Sequence, residues 1–216
     1  MTIQLKNLFG VFDKLQDAFG DKRLKPIYGA GCIRDPKLFL IFMNPTGRNI
    51  SSNPKWKGLR APWLGTKNVW KLLFEIGLVS KVIRAQTQSL KPDEWTPRFS
   101  QDLYEHLSKQ KVYITNFAKC TQTDARPLKN GVFHAYRELL LKEIEFVRPK
   151  KIVTFGNLVS SLLLEKSIKV SEFSGTKSEI FVIGKYSYQV YPTYYPVGQG
   201  MRNRGKAIER IRTISG

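Results

Sequence analysis

Three points along this chain pair an apolar run with a polar turn holding a side chain able to do chemistry. The run LFLIFMNPTGRN, residues 38–49, ends at Asn44; KVYITNFAKCTQ, residues 111–122, turns at Asn116; and YQVYPTYYPVGQGMRNRG, residues 188–205, carries Tyr195. A carboxamide offers one acceptor and two donors in a plane, so it can read the edge of a planar heterocycle or orient a water. A phenol with a pKa of about 10 is a neutral donor at physiological pH, suited to an oxygen that is gaining negative charge. Nothing acidic or thiol-bearing stands at the three tips. Asn44 cannot take up a proton as a carboxylate does. Singly, both asparagines also read as ordinary turn residues, Asn44 before a proline and Asn116 bonding its own backbone.

These residues act together only if their strands end at one edge of one sheet, where ligands of α/β proteins collect. Leu5, Leu8, Phe9, Phe12, Leu15 and Phe19 share one helical face in residues 1–19, which reads as a helix and not a signal peptide. Then come a strand at 38–43, a long loop to Gly65, a helix over 66–78 with Thr66 as N-cap, a polar stretch, and a short helix near 100–109. A strand at 111–116, a helix at 132–147 ended by Pro149, a strand at 151–156 with helical spacing beyond it, one or two strands within 179–193 and a basic helix from Asn203 complete the order. Strands alternating with helices indicate a mainly parallel sheet covered on both faces. At 216 residues, 42% of them hydrophobic, the chain is read as a single domain over 1–216.

A net charge of +19 implies a polyanionic partner, with nucleic acid the first candidate, because each basic group that neutralises a phosphate releases a condensed counterion. No long apolar span or basic amphipathic terminal helix argues for a membrane. Two cysteines, Cys32 and Cys120, are too few for a disulfide framework or for a four-thiolate cluster held by one chain, and suggest a reducing cytoplasm or nucleoid. No metal or cofactor is expected, and a monomer is. His106 and His134 lack neighbours at metal-ligand spacing.

Among the aromatics, Trp63 precedes a helix in RAPWLGTKNVWKLL, where a loop anchor is the ordinary role; Trp70 reads as core, and Trp56 as either a surface stacking residue or a plug. Glu138, Glu143 and Glu145 read as a solvated helix face. Arg202, Arg204 and Lys206, with Arg210 and Arg212 beyond, follow a glycine-flexible loop and suit phosphate contact at a helix start. Arg48 beside Asn44 joins them as a nucleic-acid contact, as do Met201 and Arg202 at the loop tip.

In order, FMNPTG, RAPWLGTKNVWKLL, ITNFAKC and RPKKIVTFGNLVSSLLL resemble the motifs of the uracil-DNA glycosylase superfamily over about Pro26 to Lys206. FMNPTG looks like the first glycosylase motif in its Asn-Pro form, and the middle segments look like those of the iron-sulfur branch. The resemblance implies a three-layer α/β/α sandwich on a four-stranded sheet, and hydrolysis of the bond joining a damaged base to deoxyribose. It puts Asn44 on the water-holding position, Trp63 on the stacking aromatic and Asn116 on the amide that reads the uracil edge; Met43, next to Asn44, is expected to bind substrate. Cys120 matches one cluster ligand, but the remaining thiolates are missing. Tyr195-Pro196-Val197 stands where the closing motif is usually His-Pro-Ser, so Tyr195 takes the place of a histidine that donates to the base oxygen. Thr46 replaces a tyrosine that in strictly uracil-selective members collides with a 5-methyl group. The expectation is a monofunctional glycosylase for uracil or a related deaminated base. The alternatives are a catalytically silent nucleic-acid binder of the same fold and, more distantly, a flavodoxin-like nucleotide binder.

Overall fold

Leu38–Phe42 is buried at every residue, and so is Val112–Asn116, a pattern strands adopt only at the centre of a sheet covered on both faces. The computed structural model describes residues 3–125 and 128–215, so the first two residues of the helix expected at 1–19 lie outside the described residues. The elements run α1 (Ile3–Phe19), β1 (Ala30–Gly31), β2 (Leu38–Phe42), α2 (Asn68–Glu75), α3 (Lys81–Ser89), α4 (Pro97–Lys109), β3 (Val112–Asn116), α5 (Asn130–Val147), β4 (Lys151–Phe155), α6 (Asn157–Leu164), β5 (Glu179–Ile183), β6 (Tyr186–Thr193) and α7 (Arg204–Ser215).

The strand order is β1-β3-β2-β4-β6-β5. The central β3, β2, β4 and β6 are parallel. The expected four-stranded sheet is thus the parallel centre of a six-stranded one, with β1 and β5 added antiparallel at the edges. Ala30–Gly31 is too short to leave a periodic signal, and the 179–193 segment folds into a hairpin at Gly184, whose φ of 56° suits glycine.

Alternation along the strands divides the core. Leu38, Leu40, Phe42, Ile114, Val153 and Phe155 pack with residues of α2, α4 and α7. Phe39, Ile41, Tyr113, Ile152 and Val190 pack with residues of α1, α5 and α6. Trp70 is in the first cluster, as its helical position suggested, and Trp56 plugs against the same cluster with its indole N–H donating to the Leu59 carbonyl at 3.0 Å.

Local chemistry explains where elements depart from the sequence reading. The polar stretch after residue 78 contains α3, capped by Ser80, whose side chain accepts from the Ile83 N–H; only Thr87 of this helix is buried, so it has no apolar stripe to read. α4 starts earlier than expected because Pro97 sits in its first turn and Thr96 caps it, accepting from the Phe99 N–H at 3.1 Å. Lys67, not Thr66, occupies the N-cap of α2; the Thr66 hydroxyl donates to the Trp63 carbonyl at 2.7 Å.

Glu143 corrects a further expectation. It faces inward from α5 and is buried, not solvated, because β3 offers it donors. The Tyr113 hydroxyl donates to its Oε1 at 2.8 Å and the Thr115 hydroxyl at 3.0 Å, while the Lys119 ammonium lies 2.6 Å from its Oε2. The same ammonium donates to Thr115 Oγ1 at 2.7 Å and to the Asn116 carbonyl. Burial pulls the Lys119 pKa below the ordinary lysine range, and Glu143 opposes the shift. Gly29 closes the network from above: a Cβ there would lie 2.2 Å from the Tyr113 hydroxyl and 2.3 Å from Glu143 Oε1. Gly29→Ala is therefore expected to destabilise the fold by about 1–3 kcal/mol, read as a lowered denaturant midpoint at unchanged slope; an unchanged midpoint would show that the network yields freely.

Candidate active site

The parallel pairing of β2 and β3 sets the site. Phe42 is the register partner of Asn116, so both side chains leave the sheet on the same face. The ladder continues past the strand ends: Phe117 N–H donates to the Phe42 carbonyl at 2.7 Å and Ala118 N–H to the Met43 carbonyl at 3.1 Å. Further out, Gly47 N–H donates to the Gln122 carbonyl at 2.8 Å and Gln122 N–H to the Pro45 carbonyl at 3.2 Å. The turn that carries Asn44 is thereby stitched to the segment that carries Asn116.

Asn44 is 6% exposed and Asn116 1%. Asn44 Nδ2 donates to the Pro45 carbonyl at 3.2 Å, which turns Oδ1 into the free end of the amide. Neither Asn44 Oδ1 nor Asn116 Oδ1 has a hydrogen-bond partner, although both atoms are buried. A buried unpaired polar group costs about 1–3 kcal/mol, so two on neighbouring strand ends call for a ligand or water that completes them.

Trp63 adds a third unpaired buried atom, its indole Nε1. Its backbone has a φ of 66°, unusual for a residue with a side chain, and is held there through its carbonyl. That oxygen accepts from Trp70 Nε1 at 3.0 Å, the Thr66 hydroxyl at 2.7 Å and the Thr66 N–H at 3.2 Å. The indole meets Phe42 edge to face, with ring centroids 4.8 Å apart. Phe42 also stacks on Phe155 at 4.3 Å and meets Tyr195 edge to face at 6.1 Å. Tyr195 packs against this cluster, and burial pushes its phenol up to about 12. Gly200 supports it closely: a Cβ there would sit 1.9 Å from the Tyr195 carbonyl oxygen. Asn44, Trp63, Asn116 and Tyr195 are thus brought to one end of the sheet.

Phe42 and Phe155 were not singled out in the sequence, because as the last residues of apolar strands they read as core. The inward phase of both strands relative to Asn116 was the available signal. Met43 departs from expectation: its side chain packs with the cluster on the opposite face, so only its backbone borders this end. Arg204 departs too. It is 8% exposed, donates through Nε and Nη2 to Glu75 Oε2 at 3.1 and 2.8 Å, and through Nη1 to the Asn68 carbonyl at 3.4 Å. It clamps α7 to α2 and has no free face for a phosphate. Arg210 is buried on the carbonyls of Pro192, Gly175 and Lys177, and Arg212 donates to the Glu75 carbonyl. Arg48, Met201, Arg202 and Lys206 remain exposed.

A family model described as the uracil DNA glycosylase superfamily matches residues 29–213. The chain belongs to that superfamily. It is 31% identical over 93 residues to the type-4 uracil-DNA glycosylase of Saccharolobus solfataricus, a stretch covering 42% of this chain and 43% of the relative. It is 29% identical over 94 residues to the type-4 uracil-DNA glycosylase of Sulfurisphaera tokodaii, covering 42% of each. The matched stretch therefore spans less than half the length of these curated relatives.

An iron-sulfur cluster of the kind the sequence motifs suggest does not fit the residues present. Cys32 and Cys120 are the chain's two cysteines and cannot supply four thiolates. Cys120 is buried, and burial pushes its thiol up, away from the thiolate a metal needs. Among the described residues no group of three or more His, Cys, Asp and Glu side chains gathers as metal ligands. No helix among them is long and apolar enough to cross a membrane.

The reassigned arginine gives a test of the site's frame. Arg204→Met should lower stability by roughly 1–3 kcal/mol, since it strands Glu75 in a half-buried position, whereas Arg202→Met should leave the midpoint within about 0.5 kcal/mol. Equal midpoints for both variants would remove Arg204 from the frame.

Proposed function

We propose that this protein is a monofunctional DNA glycosylase that hydrolyses the N-glycosidic bond of uracil, or a related deaminated base, flipped out of DNA. The observation that carries this reading is the set of unpaired buried atoms, Asn44 Oδ1, Asn116 Oδ1 and Trp63 Nε1, at the end of the sheet where Phe42 pairs in register with Asn116 and meets the Trp63 ring. The target bond is inaccessible inside a stacked duplex, so the nucleotide must be extruded into a pocket. There Asn116 would accept from N3–H of uracil through Oδ1 and donate to O4 through Nδ2, a pairing that cytosine reverses.

Cleavage builds positive charge on the sugar and negative charge on the departing base. Tyr195, neutral and desolvated, supplies a donor for that base oxygen, and preorganised donors of this kind are the largest common term in catalysis. Asn44 Oδ1 accepts a hydrogen bond from the attacking water and orients it; without a carboxylate to take the proton, a modest rate follows. Trp63 and Phe42 furnish the aromatic wall. Arg48, Arg202 and Lys206 hold phosphates, and Met201, 46% exposed, fills the vacated stack.

Incubation with oligonucleotides containing uracil, hypoxanthine or thymine opposite guanine, followed by an assay for abasic sites, tests the reading; binding without any base release would favour a silent binder. Asn116→Ala should lose roughly 100-fold or more in rate with the fold retained, and Tyr195→Phe a similar factor in kcat. Because burial raises the Tyr195 phenol to about 12, its proton stays on above the ordinary value, and kcat should hold flat from about pH 8 to about pH 11. The linked stability is complete below pH 10 and declines only as pH rises toward 12, since the unfolded chain gives up this proton first. A rate that falls with a midpoint near 9, unaltered in Tyr195→Phe, would assign the donor elsewhere. Arg202→Ala should reduce the slope of log affinity against log salt by about 1 on every sequence.

A further inference from the structure

A lysine buried to 0% exposure beneath a polar strand end needs a reason. Replacing a buried ion pair by apolar residues of similar volume is often neutral or stabilising, so stability alone gives little ground for a cation here. Its position supplies another. The Lys119 ammonium donates to Thr115 Oγ1 and to the carbonyl oxygen of Asn116 itself, and it forms an ion pair with Glu143, whose Oε2 lies 2.6 Å away. The peptide that follows Asn116 is also fixed at its other end, where the Phe117 N–H donates to the Phe42 carbonyl at 2.7 Å. Both polar groups of that peptide are held, one by a charge and one by the neighbouring strand.

Glu143 balances the ammonium, and Tyr113 and Thr115 occupy its remaining acceptor sites on Oε1. The Phe12 ring lies 5.5 Å from the ammonium, and the Gly29 backbone covers the carboxylate. The side chain of Asn116, by contrast, emerges on the opposite face from this network and leaves its own Oδ1 unpaired. Nothing on the pocket side fixes that oxygen, so the direction of the amide is set from behind, through the backbone.

We propose that Lys119, held by Glu143, is the positioning residue for the Asn116 amide, fixing the peptide from which that amide reads the base. This rests on the glycosylase reading for its consequence but not for its geometry. Either single substitution would strand a buried charge and endanger the fold, so the informative variant is Lys119→Met combined with Glu143→Gln, which keeps the interior neutral and leaves Tyr113 and Thr115 an acceptor.

In the free protein, nitrogen relaxation of the Asn116 backbone and side-chain amides should show order parameters falling from about 0.85 toward 0.6 or less, with those of Leu40 and Val153 unchanged. Undiminished order at Asn116, or a loss spread across β2 and β4, would overturn the proposal. On uracil DNA, kcat should fall roughly 100-fold while affinity for DNA carrying an abasic analogue stays the same, since that ligand has no base to read. In the Asn116→Ala background the double substitution should cost nothing more, because its effect passes through that amide; a further independent loss there counts against it. If the unaltered protein releases no base from any DNA, the glycosylase reading fails, and the relaxation measurement still decides whether Lys119 positions Asn116.

Discussion

Everything at this end of the molecule depends on one register, the parallel pairing that sets Phe42 beside Asn116. A slip of β3 by one residue would turn Asn116 toward the layer of α1 and α5 while Phe42 stayed in place, and the two side chains would no longer share a face. The register is enforced where slipping is costly. Leu38 and Leu40 are wholly buried beneath one set of helices and Phe39 and Ile41 beneath the other, so every alternative misplaces apolar surface. The hydrogen bonds beyond Phe42 then carry that alignment into the turns, and the aromatic rings of Trp63, Phe155 and Tyr195 pack around the Phe42 ring.

Much of this was legible in the sequence because it is written in local pattern. Apolar runs ending in polar turns marked the three parallel strands that carry Asn44, Asn116 and Tyr195, and Trp70 announced itself by helical spacing. What escaped was decided by tertiary partners. Glu143 sits among glutamates on a helix that looks solvated, and only the hydroxyls and the ammonium arriving from β3 make its burial tolerable. Arg204 belongs to a basic run, and its withdrawal from solvent follows from Glu75, distant in sequence. α3 hides because a helix lying on the surface with one buried residue leaves no stripe. Phe42 was hidden by its surroundings, an aromatic among aliphatic neighbours in a strand.

The site combines rigidity with incompleteness. Trp63 is held in a left-handed conformation that costs of order 1–3 kcal/mol and persists because three donors converge on its carbonyl. The amides of Asn44 and Asn116 are equally confined, yet each keeps an acceptor without a partner. Such a site favours a ligand that brings donors to those two acceptors and an acceptor to the unpaired indole N–H of Trp63, and it disfavours one that reverses the pattern.

The buried charges lead to a separation of electrostatic roles. Lys119 with Glu143, and Arg204 with Glu75, meet their partners at 2.6 and 2.8 Å, far inside the screening length of about 8 Å at physiological ionic strength. Dissolved ions cannot come between them. The excess of cations that gives the chain its net +19 lies largely outside these pairs, on surface that ions do reach. Architecture and attraction to a polyanion therefore answer to different variables. Surface lysines and arginines can be gained or lost over evolutionary time, strengthening or loosening the hold on a charged partner, while the geometry at the strand ends is left as it was.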